Sequence, residues 1–468
     1  MNRRSFLQSV GFITGSTFIS LKANAFSNLE RFATINGRVT SAGRGIANVV
    51  VSDGFSVVLT DSKGKYTLTP DTKATNIFMS TPSGYEFRTR YNVARQYETL
   101  GSRNQYDFQL TSLKRNDSKH NFIIWADPQV KTKTDVKQMM DTAVPDVQQL
   151  VTSMGQDALV HGIGVGDLVW DNHALFPDYN NAVAQMNIPF FQALGNHDMD
   201  YRMGGDETSD KTFKEIYGPT YYSFNRGKAH YVVLDNVRYL GEDRKYDGYI
   251  SEAQLAWLAK DLKYVEKGQL LIICLHIPVH NGVKNKADLY ALLEGYKNVH
   301  IMSGHTHYNV NAINNGIYEH NHGAVCGAWW TGPICSDGTP RGYGVYQVNG
   351  NQLKWYYKST GLKKEHQVSL SVDTLTNQKR LIANVWNWDP EWTVEYELDG
   401  KPMGILEQTA GFDPLSVRLY KGDKLPSPRS FAEPHRTSHL FMAHFNPFIK
   451  KVKVVATDRF GQKFVAEI

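Results

Sequence analysis

Five apolar runs in this chain end in residues that can do chemistry. Pro189 to Leu194 closes on Gly195-Asn196-His197-Asp198, a small residue, an amide, an imidazole and a carboxylate in succession. Phe122-Ile123-Ile124-Trp125-Ala126 runs into Asp127-Pro128-Gln129, and Ala158 to Val165 runs into Gly166-Asp167, with Asp171 shortly after. Leu270 to Leu275 ends in His276, and Val299 to Ser303 ends in Gly304-His305-Thr306-His307. One such ending is an ordinary turn or a capped strand. Five alike point to a common purpose. Two Asp, three His, an Asn and a Gln offer oxygen and nitrogen donors and no thiolate, which suits Mn, Fe or Zn. Seven donors are too many for one ion. Two cations about 3.5–4 Å apart, sharing a bridging carboxylate, would use them all and would clamp a phosphoryl group with its attacking oxygen.

The elements that must position these tips follow from the same runs. Each has the length and β-branched content of a buried strand and is bounded by Gly, Pro or Asp. Helical candidates lie between them, Asp141 to Met154 and Ser251 to Leu262, the second opening with the capping pair Ser251 and Gln254. Alternating strands and helices predict a layered α/β sheet, in which ligands gather outside the carboxyl ends of the strands. The polar tips would then face one crevice.

The order D-x-Q, GD-x-x-x-D, GNHD, H, GHTH resembles that of the calcineurin-like metallophosphoesterases, over roughly Lys119 to Lys358. The resemblance implies an α/β fold: a layered metallophosphoesterase β-sandwich core with helices outside. It implies one divalent metal on Asp127, Gln129, Asp167 and His307. A second would sit on Asp167, Asn196, His276 and His305, with Asp167 as the bridge. His197 binds no metal in the family and would hydrogen-bond the phosphate or protonate the leaving oxygen. Most of the family has His where this chain has Gln129, a neutral and weaker ligand, so the first metal is expected to be held less tightly than the second. The activity implied is hydrolysis of a phosphate ester, monoester or diester, by a metal-bridging hydroxide, with His197, Asp167 and Asn196 as the catalytic set. Asp171, Tyr201, Arg202 and Trp330 stand as candidate substrate contacts. Two other readings stay open: a pyrophosphatase acting on a nucleotide-sugar or lipid precursor, and a non-catalytic glycan-binding surface protein.

The flanks read differently. In residues 1–26, Asn2-Arg3-Arg4-Ser5-Phe6-Leu7-Gln8 resembles a twin-arginine export signal, with Ala23-Asn24-Ala25 as cleavage site, a membrane anchor being the alternative. A periplasmic protein with no stable membrane insertion after cleavage is expected. Residues 32–113 predict an all-β module similar to transthyretin-like or carboxypeptidase-regulatory sandwiches, a spacer or a binding unit, joined by the polar linker Lys114 to Lys119. The catalytic domain is expected over 119–360 and a C-terminal β-sandwich over 368–468. There Trp386, Trp388 and Trp392 are either core or a carbohydrate-stacking face.

The net charge is +5 over 468 residues, and loss of Arg3, Arg4 and Lys22 with the leader brings it near +2. That is too little to argue for a nucleic-acid partner. Three cysteines make no disulfide scaffold, although Cys326 and Cys335 flank a Gly/Trp-rich turn and could pair. His320 and His322, at alternate positions, would share a strand face, either as an extra metal or phosphate contact or as core. Trp329 and Trp330 read as a lid over the site or as a packed corner.

Overall fold

All five runs become strands, and their near-complete apolar character reflects burial on both faces. In the computed structural model, which describes residues 33–427 and 429–468, Lys119–Trp125, Val160–Val165 and Phe190–Ala193 lie parallel in a seven-stranded sheet. The antiparallel hairpin Gly342–Asn349 and Gln352–Ser359 extends it beyond Lys119–Trp125. Leu270–Cys274 and Asn298–Ser303 lie parallel in a six-stranded sheet with Tyr222–Arg226, Ala229–Val233, Val310–Asn314 and Ile317–Asn321. The export signal expected at residues 1–26 lies outside the described residues.

The two sheets pack face to face through aromatic rings. Phe191 of the first stacks on Phe224 of the second at 3.7 Å between centroids, and Phe122 meets Tyr231 edge-on at 5.4 Å. Such pairs fix the relative placement of the sheets as well as burying area. Because both sheets send their parallel strands toward the same end, tips from two sheets meet there.

The first helix begins earlier than expected. Lys133–Gln138 passes through a π-helical turn, Met139–Ala143, into Val144–Ser153. Thr132 and Asp135 form a capping box that starts it well before Asp141. Glu252–Asp261 follows the expected cap, the Ser251 side chain accepting from the Gln254 N–H. Among the described residues no helix is long and apolar enough to cross a membrane.

The N-terminal residues build two small sheets over their own core of Ile35, Val39, Val51, Tyr66, Ile77 and Phe108. They are more closely joined to the rest than a separate module would be. The short pair Thr89–Arg90 and Val93–Ala94 leaves that unit to edge the catalytic sheet, Val93 pairing with Phe190. The Trp257 indole also donates to Ser52 Oγ at 3.1 Å. Two four-stranded antiparallel sheets form the C-terminal part, around Leu381, Val394, Val454 and Phe464. Trp386 and Trp392 are buried and the half-buried Trp388 packs on Phe441, so core packing accounts for these indoles. The segment after the helix Pro414–Tyr420 returns to the catalytic part, where Tyr420 and Ala432 pack with Ala328 and Ile334.

Candidate metal centre

The strand tips meet, and the backbone there is held in unusual conformations. Asp127, Gln129, Asp167, Asp171, His305 and His307 all have positive φ, between 41° and 72°. Left-handed backbone in non-glycine residues costs energy and persists where surrounding structure enforces it, typically at functional sites. The turns come within a few ångströms of each other because two of them carry glycine. A Cβ on Gly195 would lie 2.4 Å from Asp167 Oδ1, and one on Gly304 would lie 2.4 Å from Asp127 Oδ2.

Asp167 sits at the centre. Its Oδ1 accepts the His197 N–H at 2.9 Å and lies 3.3 Å from His276 Nε2, while its Oδ2 accepts from Gln129 Nε2 at 3.0 Å. His276 Nε2 is 3.0 Å from Asn196 Oδ1 and 3.1 Å from His305 Nδ1. On the other side Asp127 Oδ2 accepts the His305 N–H at 2.8 Å, and its Oδ1 lies 3.5 Å from His307 Nε2. Asp198 ties the loops together by accepting the N–H groups of Leu168, Val169 and Gly195.

The donor set fits divalent cations on three counts. Ligand atoms of Asp167, His276 and His305 all lie within 4.8 Å of one another. His276 Nδ1 is engaged by the Val165 carbonyl and His307 Nδ1 by the Gly327 carbonyl, each at 2.8 Å. In its neutral form each ring therefore carries its proton on Nδ1 and turns the Nε2 lone pair inward, the arrangement metal-binding imidazoles adopt. Those lone pairs face the oxygens of Asp167, Asn196 and Asp127, and acceptor against acceptor repels unless positive charge lies between. Asp127 Oδ1 and Gln129 Oε1 are moreover buried with no hydrogen-bond partner.

The electrostatics make the same demand. Burial works against a charge on His276, yet Asp167 outweighs it and raises the imidazole to about 9. Burial likewise opposes charge on His307, but Cys326 and Asp127 raise its pKa well above the ordinary range. His305 is pushed down to about 4 by burial and by His276 beside it. For Asp167, burial is overcome by His276 and His197, which hold its carboxyl below the usual range. The carboxylates draw positive charge into the cluster.

The remaining predicted residues divide. Asp171 Oδ1 is 2.9 Å from His197 Nδ1, and Arg244 lies 3.0 Å from its other oxygen. The Tyr201 hydroxyl donates to the Asn196 carbonyl, so it braces the turn. Arg202 is exposed and ion-paired with Asp243. Trp330 requires a correction: it is buried and its indole N–H donates to the Pro128 carbonyl at 2.9 Å, so it lies under the site and offers nothing to substrate. Its neighbour Trp329 is the ring at the site, stacked on His307 at 4.7 Å. His320 and His322 do share a face, but it is turned into the core. Cys326 and Cys335 stand as free buried thiols, Cys326 Sγ 3.6 Å from His307 Nδ1. Sequence reasoning missed Tyr246, edge-on to His305 at 5.9 Å, and Trp170, edge-on to His197 at 5.6 Å. Trp170 was visible inside GD-x-x-x-D, flanked by residues already singled out.

A sheet pair closed at one end by aspartates, histidines and an asparagine is the architecture of a metal-dependent hydrolase. Three family models match in succession: N terminal of Calcineurin-like phosphoesterase over residues 33–113, Calcineurin-like phosphoesterase over 119–309, and C terminal of Calcineurin-like phosphoesterase over 319–464. The chain belongs to the calcineurin-like phosphoesterases and is a metal-dependent phosphoric ester hydrolase. None of the curated proteins compared with it matches. Among solved structures it is similar to a dimetal phosphatase from Danio rerio, at 15% identity over 52% of this chain and 97% of that one, TM-score 0.36. It is also similar to a purple acid phosphatase from yellow lupin seeds, at 12% identity over 77% of this chain and 69% of that one, TM-score 0.38.

Proposed function

We propose that the chain hydrolyses phosphate esters in the cell envelope, with two divalent cations shared between its strand tips. Asp127, Gln129, Asp167 and His307 would hold one cation, and Asp167, Asn196, His276 and His305 the other. The observation that carries this reading is the convergence of imidazole nitrogens with carboxylate and amide oxygens on one small volume, with Asp167 between the two halves. Cations bound there supply Lewis acidity toward the phosphoryl oxygens and lower the pKa of water.

The chain's own residues do the rest. The Asp171 carboxylate on His197 Nδ1 fixes the proton there and aims Nε2 outward, where it holds or donates a proton to the leaving oxygen. Burial opposes a charged His197, while the Asp171 carboxylate at its Nδ1 favours the charged form, which suits an acid. Tyr201 and Asp198 keep the Asn196 turn against the Asp167 turn, so positioning is settled before substrate arrives. The twin-arginine pattern at Arg3 and Arg4, followed by Ala23-Asn24-Ala25, supports export.

Metal analysis of the purified chain, with hydrolysis of an aryl phosphate and the matching diester under Mn, Fe and Zn in turn, tests the reading. Two metals per chain and turnover of at least one ester are expected. A protein that binds no divalent metal, or binds metal and cleaves neither ester, would overturn it. Fractionation of cells producing the full chain tests the location, a cytoplasmic mature protein being the adverse result.

A further inference from the structure

Phe431 is an exposed aromatic ring between two buried anchors. It is 52% exposed, whereas Arg429 is 6% exposed and Ala432 fully buried. Arg429 reaches from the C-terminal part to Asp135 at 2.6 Å, donates to the Trp329 carbonyl and lies 5.3 Å from the Trp170 ring. Ala432 packs with Ala328, Ile334 and Tyr420. The segment is therefore fastened on both sides of Phe431, and its ring is presented by a fixed backbone.

The place it is presented matters. Phe431 meets Trp170 edge-on at 5.8 Å and Trp329 at 5.2 Å. Trp170 in turn meets His197, and Trp329 stacks on His307. The three rings thus form one shelf that runs from two residues of the candidate centre out to solvent. Each ring comes from a different part of the chain: the turn after Val160–Val165, the segment after the GHTH tip, and the C-terminal region. Lys131, 4.2 Å over the Trp170 ring, adds a positive charge beside it.

We propose that Trp170, Trp329 and Phe431 form a binding subsite for an aromatic ring carried on the substrate's phosphate. This rests on the reading of the site as a phosphoesterase. Phosphate at the centre would place its organic group beside His197, the residue facing the leaving oxygen, and hence against the shelf. An aromatic ring fits because the shelf offers ring edges and faces with the Lys131 charge beside them, and aromatic pairs gain from that geometry beyond simple burial. A saturated group would gain the burial alone. Because Phe431 comes from the C-terminal part, that part is a specificity element of the catalytic site.

Calorimetric binding of non-hydrolysable phosphonates to the metal-loaded full chain tests this without relying on turnover. Phenylphosphonate should bind about three- to ten-fold tighter than methylphosphonate, with cyclohexylphosphonate between them. Phe431→Ala should bring the phenyl-to-methyl ratio to within about two-fold while leaving metal content and methylphosphonate affinity unchanged, and Phe431→Tyr should restore it. A ratio untouched by Phe431→Ala, or an equal loss for both phosphonates, would overturn the subsite and leave the phosphoesterase reading standing. A loaded protein that binds no phosphonate at all would remove both. Adenosine 5′-phosphonate, compared with phenylphosphonate in the same series, separates a nucleobase source of the ring from a simple aryl one.

Discussion

Two groups of three histidines lie within the catalytic part, and only one of them asks for metal. His276, His305 and His307 sit at strand tips among Asp127, Asp167 and Asn196. His300, His320 and His322 lie on Asn298–Ser303, on Ile317–Asn321 and just beyond it, deep between the sheets. In the second group the ring nitrogens with resolved partners meet neutral groups: His300 Nδ1 meets His320 Nε2 at 2.9 Å, His320 Nδ1 meets Asn311 Oδ1, and His322 bridges the Ser303 carbonyl and the Tyr346 hydroxyl. Burial pushes His300 down to about 3 and His322 to about 4, so these rings are neutral core. In the first group two rings spend one nitrogen on a backbone carbonyl and turn the other toward acidic or amide oxygen. The difference lies in what the second nitrogen faces, which decides between a packed histidine and a ligand.

Exchange of one member from each group should give the largest contrast. His276→Ala is expected to reduce turnover to background and to lower bound metal, read by metal analysis of the purified protein. His322→Phe should keep metal and turnover and cost about 1–3 kcal/mol of stability in denaturant unfolding, because Tyr346 Oη loses its partner and the Ser303 carbonyl keeps only the backbone N–H of residue 322. Loss of metal on His322→Phe would erase the distinction.

His197 sharpens the same boundary from inside the site, being a histidine among the tips that faces Asp171 with its Nδ1. His197→Ala should lower turnover by about 10²–10⁴-fold with metal content nearly unchanged. A protein that loses its metal instead would make His197 a ligand, and the assignment of a proton-transfer role would fail.

The contrast also marks how far the sequence could be read. All seven tip residues were legible, because each closes an apolar run of strand length and the five closures repeat one composition. His320 and His322 showed only that they share a strand face; whether that face looks to solvent, site or core depends on Tyr346 and Trp355 of a neighbouring sheet. Trp330 reads as a substrate contact in the sequence for the same reason: two adjacent tryptophans beside glycines give no sign of which turns inward. Phe431 carried no signal at all, since a lone aromatic in a Pro/Ser-rich stretch gains meaning only when Arg429 reaches Asp135. The early start of the first helix was written in Thr132 and Asp135, but the apolar periodicity begins later and drew the boundary with it.

A smaller effect is expected at Gln129, the tip that departs from the family pattern. Its Nε2 is spent on Asp167 Oδ2 and its oxygen is left without a partner, so a neutral carboxamide serves where an imidazole would give a stronger donor. Gln129→His should tighten the weaker of two metal-binding steps in a titration and leave the stronger one in place. Unchanged affinity at both steps would show that the carboxamide does not limit the first site.

The core histidines predict a graded response to acid. His300, whose surroundings include His320, Tyr318, Trp355 and Arg459, has a folded pKa of about 3, well below the ordinary 6.5, because of burial and then of Arg459. A histidine depressed in the folded state binds its proton more readily when unfolded, so its stabilising contribution is complete above about pH 6.5 and declines as the pH falls toward 3. Between pH 6.5 and 5 that decline is about 2 kcal/mol for one such group. His300→Phe should therefore be less sensitive to acid than the parent over that interval, with unfolding free energies measured in urea at fixed metal content. A slope unaltered by His300→Phe would mean that this ring is already free to charge inside the fold, and that the inner group is less different from the outer one than its packing indicates.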